Sequence, residues 1–202
     1  MARTVGIGLQ DFEKIRVRNA FYIDKTKFIK EWWESEDEVT LITRPRRFGK
    51  TLVMSMVEYF FSVNYKGNDL FVGLSVWNDE KLRLLQGTYP VISLSFANIK
   101  ETSFSEARKK ICRTIQLLYR RFDFLLEGDF LSESEKEDFG RVSAEMEDYV
   151  ASLSLQQLSY YLYRYYGKRL LHQMNTRIVL DLQRKRFLLH WRSTILRIKC
   201  RQ

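Results

Sequence analysis

The sequence predicts an α/β domain with a mainly parallel sheet flanked by helices and incomplete at its C-terminus. Three observations carry that prediction. First, "VTLIT" (39–43) is apolar and β-branched without alternation, as in a strand buried on both faces. Second, a glycine-lysine turn follows it directly and opens a segment of helical length, "TLVMSMVEYFFSV" (51–63). Third, a further strand candidate, "YPVISLSF" (89–96), comes before several helical segments, giving the strand–helix alternation of a parallel sheet.

Taken in chain order, "FYID" (21–24) reads as a short β-like run, and residues 25–35 read as a helix with Phe28, Ile29, Trp32 and Trp33 on one side. The acidic break "ESEDE" separates this helix from the 39–43 strand, and its acids read as a solvated face. Residues 66–79 read as a loop rich in Gly, Asn and Asp. In the 89–96 strand Ile92, Leu94 and Phe96 alternate with Ser93 and Ser95. Residues 103–127 and 133–150 read as helices, and Ser132 with Glu135 offers a capping box for the second. A last helix covers 154–167, with Gly167 as its C-terminal stop.

The composition sets limits on function. A chain of 202 residues with 45% hydrophobic and 14% aromatic content can bury a core and is not disordered. No run of eighteen apolar residues is present, and "MARTVGIGLQ" lacks the apolar centre of a signal peptide. Cys112 and Cys200 lack metal-ligand spacing. These features lead us to expect a cytoplasmic, reduced protein. His172 and His190 are too few and too isolated for a triad or a metal site. The aromatic run "YYLYRYY" reads as core and interface rather than a base-stacking platform.

The net charge of +9 is unevenly placed. Residues 168–202 carry ten Lys/Arg and a single acid, Asp181, while residues 1–167 hold 24 basic and 24 acidic side chains. The body is balanced, so a generally basic DNA-binding body is not supported.

The chemistry concentrates in "TRPRRFGKTL" (43–52). A protein holds nucleotide phosphates with backbone N–H groups at a helix N-terminus plus a flexible cation. Gly49 would let the backbone approach the phosphates, Lys50 would reach the β- and γ-phosphates, and the Thr51 hydroxyl would ligate Mg²⁺. Measured against G-x-x-x-x-G-K-[ST], the stretch has Arg44 where the first glycine belongs. Arg44, Arg46 and Arg47 read either as a solvated basic turn or as further phosphate contacts through bidentate guanidinium groups. Pro45 stiffens the turn.

"RPRRFGKT" followed by an apolar helix resembles the signature of the AAA-ATPase-like family, whose domain in many members precedes a nuclease-like domain of the PD-(D/E)XK superfamily. The opening "GIGLQDFEKIRVRNAFYIDKTKFI", with Tyr22, Asp24, Lys25 and Thr26, is similar to the family's start, and "YPVISLSFANIK" and "LSYYLYRYYGKR" resemble later segments. The resemblance covers about residues 5–169. It implies a P-loop NTPase-like fold, ATP and Mg²⁺ as cofactors, and Gly49, Lys50 and Thr51 as phosphate and magnesium contacts. In that family an arginine at position 44 is the normal form. The resemblance assigns no role to Asp24, Lys25 and Thr26; read from the residues alone, Asp24 caps the helix that follows.

An ATPase of this kind needs a buried strand ending in Asp-Glu, the Asp for Mg²⁺ and the Glu for the attacking water. After "YYGKR" no such pair occurs. "RIVLD" is the nearest substitute, placing Asp181 as a candidate magnesium residue with Leu182 where the glutamate belongs. The charge jump coincides with this break. We therefore expect a P-loop domain over 1–169 and a basic, divergent tail over 170–202, with a change of reading frame or exon boundary near residue 170 as one cause for both. The gene's nucleotide sequence tests that cause, which requires an apolar-Asp-Glu-Tyr-Asp segment in another downstream frame. The alternative is a C-terminal helix with Phe187, Leu188, Trp191, Ile195 and Ile198 near helical spacing. Such a basic amphipathic segment would suit an anionic membrane surface, a nucleic-acid backbone or a partner groove, or it would pack on its own domain. The functional expectation is ATP binding, with hydrolysis unsupported for want of a catalytic glutamate. The competing expectations are a non-enzymatic module acting through its tail and an inactive gene fragment.

Overall fold

The computed structural model describes residues 4–6, 8–35, 39–43 and 48–167, together with the backbone of four strands at 170–176, 179–181, 186–188 and 193–199. Seven α-helices are described: α1 (Phe12–Val17), α2 (Lys27–Glu34), α3 (Lys50–Phe61), α4 (Glu80–Leu85), α5 (Phe104–Arg120), α6 (Glu133–Gly140) and α7 (Asp148–Tyr166). The strands are β1 (Val39–Thr43), β2 (Val91–Ser95), β3 (Leu170–Thr176), β4 (Val179–Asp181), β5 (Arg186–Leu188) and β6 (Ser193–Lys199).

Helix α3 is the centre of the N-terminal half. Apolar residues surround most of it, and Val53, Met54, Met56, Val57, Phe60 and Phe61 are all buried. Full burial of one such side chain contributes about 1.5–3 kcal/mol, so tertiary packing rather than helix propensity holds α3 in place. Phe12 from α1, Ile29 and Trp32 from α2, and Phe71, Leu74 and Val76 from the following loop close over it. The aromatic contacts are specific: Phe12 stacks on Phe71 at 4.9 Å, and Trp32 meets Phe61 edge-on at 5.6 Å.

The second half is helical and has its own core. Asp79 caps α4 by accepting from Lys81 and Leu82 N–H, and Ser103 caps α5 by accepting from Glu106 N–H. The inner face of α5 (Ala107, Cys112, Ile115, Leu118, Tyr119) packs against Leu158, Tyr161 and Leu162 of α7. Where the two helices meet, the buried Tyr119 hydroxyl donates to Ser154 O at 2.6 Å. Ser132 and Glu135 form the expected capping box, and Gly167 ends α7 in the left-handed region at φ 60°.

Several expectations need correction. "FYID" is not a strand; Tyr22 and Asp24 are instead committed to side-chain hydrogen bonds with distant segments. The segment 133–150 is two helices, α6 and α7, with a loop at 141–147 between them. The supposed loop at 66–79 ends in a 3-10 turn, Ser75–Asn78, which leads into α4. The sheet is mixed rather than mainly parallel. Its order is β1-β6-β3-β2, with β2 and β3 parallel and β6 antiparallel to both of its neighbours. β6 runs against both β1 and β3, so the one parallel pair in this sheet is β2 with β3. β4 and β5 form a separate two-stranded sheet. The basic C-terminal segment is therefore not a helix: Phe187 and Leu188 lie on β5, and Ile195 and Ile198 on β6, whose β-branched residues suit a strand bonded on both sides. Trp191 lies outside the described residues.

Candidate functional site

The site is built where β1 ends and α3 begins. Gly49 sits at the N-cap of α3 with φ 76° and ψ 21°, a left-handed conformation in which a side chain is strained. Val53 N–H donates to Gly49 O at 2.9 Å, the first helical bond, and Gly49 itself has no side chain with which to cap the helix. Lys50 and Thr51 are its first two residues, each partly buried. The helix thus presents its positive end, a left-handed glycine, a lysine and a threonine hydroxyl at one place. Arg44, Arg46 and Arg47, like Pro45, lie outside the described residues.

Beside this turn lies the segment Tyr22 to Thr26, which sequence reasoning left without a role. Its backbone is held by three side chains. The Tyr22 hydroxyl accepts from Lys25 N–H at 3.2 Å and reaches the Met56 sulfur of α3 at 3.3 Å. Burial is the main reason its phenol is pushed up to about 12. Asp24 does not cap α2. One carboxylate oxygen accepts from Thr26 N–H and hydroxyl at 2.8 and 2.7 Å, and the other from Ser75 N–H and hydroxyl at 2.8 and 2.6 Å. Desolvation alone would raise the Asp24 pKa, but these donors outweigh it and hold the carboxyl down at about 2. Thr26, fully buried, also accepts from Val76 N–H at 3.1 Å.

Between these anchors Lys25 extends toward the glycine. Its ammonium nitrogen is 3.1 Å from the point that a Cβ on Gly49 would occupy. Sequence spacing gives no sign of this approach, since 24 positions separate the two residues. The one available signal was a Tyr-x-Asp-Lys-Thr element with nothing nearby in sequence to explain it.

Other features do not join the site. Asp181 closes β4, in the two-stranded sheet and not in the sheet that contains β1. An open groove of about 830 Å³ lies between α2 and α4, but it is lined by charged residues that include Lys30 and Asp79, not by Gly49, Lys50 or Thr51. Lys30 and Asp79 form an ion pair at 2.8 Å. Among the described residues, no three His, Cys, Asp or Glu side chains cluster to hold a metal ion, and no helix is long and apolar enough to cross a membrane.

A strand, a left-handed glycine and a lysine-threonine helix start are features of a nucleotide-binding class of protein. Comparison with known proteins agrees at the level of family: the model described as "AAA-ATPase_like: Predicted AAA-ATPase" matches residues 6–172. The chain belongs to this AAA-ATPase-like family. No curated protein and no solved structure matches it.

Proposed function

We propose that the chain binds a nucleoside triphosphate, ATP with Mg²⁺, through a P-loop formed by Gly49, Lys50 and Thr51 within a P-loop-like fold. The observation that carries this reading is the left-handed Gly49 at the start of a twelve-residue helix in a chain of this family. Backbone N–H groups and the helix dipole favour an anion there. The Lys50 ammonium then serves the β- and γ-phosphates, and the Thr51 hydroxyl a magnesium ion. Arg44, Arg46 and Arg47 are proposed as additional phosphate contacts, by bidentate guanidinium pairing. Asp181 is the acid proposed for magnesium by the sequence. Because its strand lies outside the sheet of β1, the magnesium contact in this reading rests on Thr51.

Hydrolysis is not part of the proposal, because residues 170–202 contain no Asp-Glu pair to position and polarise a water. Contact of the basic tail with nucleic acid or anionic lipid has less support, since β6 is hydrogen-bonded on both sides within the sheet. The domain division at residue 169 belongs to the same proposal.

The test is a titration of Mg·ATP against wild type and Lys50→Ala, followed by thermal unfolding. A ligand present at a hundred times its Kd stabilises the folded state by about 2.7 kcal/mol, which raises Tm by roughly 5–10 °C for a chain of this size. We expect that shift in wild type and its loss in Lys50→Ala. No shift in wild type at millimolar ATP, or equal shifts in both proteins, overturns the reading.

A further inference from the structure

We propose that Lys25 is a second cation of the phosphate site, contacting the polyphosphate beside Gly49; this inference rests on the nucleotide-binding reading above. Four observations lead to it. The Lys25 ammonium lies against the one position of the turn that has no side chain, 3.1 Å from the missing Cβ. The Lys25 backbone is fixed from both sides, by the Tyr22 hydroxyl on its N–H and by the bonds of Asp24 and Thr26 to Ser75 and Val76. Among the described residues, no hydrogen bond or ion pair engages its ammonium. The acid next to it in sequence, Asp24, turns both carboxylate oxygens to Thr26 and Ser75.

The electrostatics of the place make the arrangement informative. The N-terminus of a helix carries a partial positive charge, so cations are disfavoured there and anions favoured. Lys25 brings a second ammonium to the end of α3, which already starts with Lys50. A lysine stem is flexible and would normally carry its charge out to water. Here the segment that bears it is bracketed to α3 through Met56 and to the 3-10 turn through Ser75, and the residue is partly buried with its ammonium against Gly49. An anion of several charges placed at this turn would meet the Lys25 ammonium and the positive end of α3 together, and a nucleotide polyphosphate supplies that charge. In this arrangement Lys50 serves the phosphates from the first turn of α3 and Lys25 from beside Gly49. Tyr22, Asp24 and Thr26 position Lys25 and do not touch the ligand.

The test measures Mg·ATP and AMP binding by calorimetry on wild type, Lys25→Ala, Lys25→Met, Lys25→Arg and Lys50→Ala. Lys25→Met keeps the apolar stem, so it guards against loss of packing in the alanine variant. Charge-assisted hydrogen bonds are strong enough for removal of the ammonium to weaken ATP binding about tenfold or more. We expect that loss in both Lys25→Ala and Lys25→Met, partial recovery in Lys25→Arg, a smaller change for AMP, and for Lys25→Met a Tm without nucleotide that is level with wild type or slightly raised. If wild type and Lys25→Met bind Mg·ATP equally while Lys50→Ala does not, the Lys25 inference fails and the phosphate-loop reading stands. If wild type itself does not bind Mg·ATP, both fail. Equal weakening of AMP and ATP also overturns the inference, because it places Lys25 away from the β- and γ-phosphates.

Discussion

Replacing Gly49 separates the conformational role of this residue from its role toward a ligand. Its φ of 76° lies in the left-handed region. An L-residue there costs about 1–2 kcal/mol, and the smaller freedom of alanine in the unfolded chain returns roughly 0.4–1 kcal/mol. Among the described residues the new methyl would meet only the Lys25 ammonium, at 3.1 Å, which is the tip of a flexible side chain and swings aside cheaply. The net expectation for Gly49→Ala is therefore about 1 kcal/mol of lost stability, or a fall in Tm of roughly 2–4 °C. Urea unfolding should show a lower midpoint with an unchanged slope. Asparagine enters the left-handed region more readily than alanine and is a favoured N-cap, so Gly49→Asn should recover most of the loss. Nucleotide binding should not recover with it, because both substitutions place a Cβ against the Lys25 ammonium, in the space proposed for the phosphates. A Gly49→Ala protein as stable as wild type would refute the argument, since it would mean that the turn is not left-handed.

Two more predictions concern the bracket that holds Lys25. In Thr26→Val the volume is kept but the buried Val76 N–H loses its acceptor, at a cost of about 1–3 kcal/mol by calorimetry; a change below about 0.5 kcal/mol would discount the bond. Asp24 makes stability depend on acid. Its folded-state carboxyl titrates at about 2 against an ordinary 3.8, so its contribution is complete above about pH 4 and is lost as pH falls toward 2. The group is exposed enough for water to screen it, so the expected size is about 1 kcal/mol, and Asp24→Asn should flatten the stability profile over that interval.

The sequence was readable where a local rule decides the structure. Ser132 and Glu135 cap α6, Gly167 stops α7, and the alternation picks out Ile92 and Leu94 on β2, and Phe96 just past it, as one side's core residues. It was misleading where tertiary partners decide. "FYID" has the composition of a strand but serves as the bracket described above. α1 and α4 are six residues each, too short for periodicity to declare them. The run through Gly140 lacked proline or a turn dipeptide to show that one helix ends and another begins. Around the candidate site, the strand and the helix that starts at Lys50 were legible because they are nearly contiguous in sequence. The approach of Lys25 was not, because two folded segments must meet to create it.

The placement of β2 has a consequence for how the molecule comes apart. Val91 belongs to the cluster around α3, while Ile92, Leu94 and Phe96 belong to the cluster between α5 and α7. One five-residue strand is thus a party wall, lining two rooms at once. Neither room can open without stripping a face of that wall, so loosening the helical half should be felt at the glycine turn as well. Amide exchange would show this as one shared opening event for α3 and α5 in place of two independent ones.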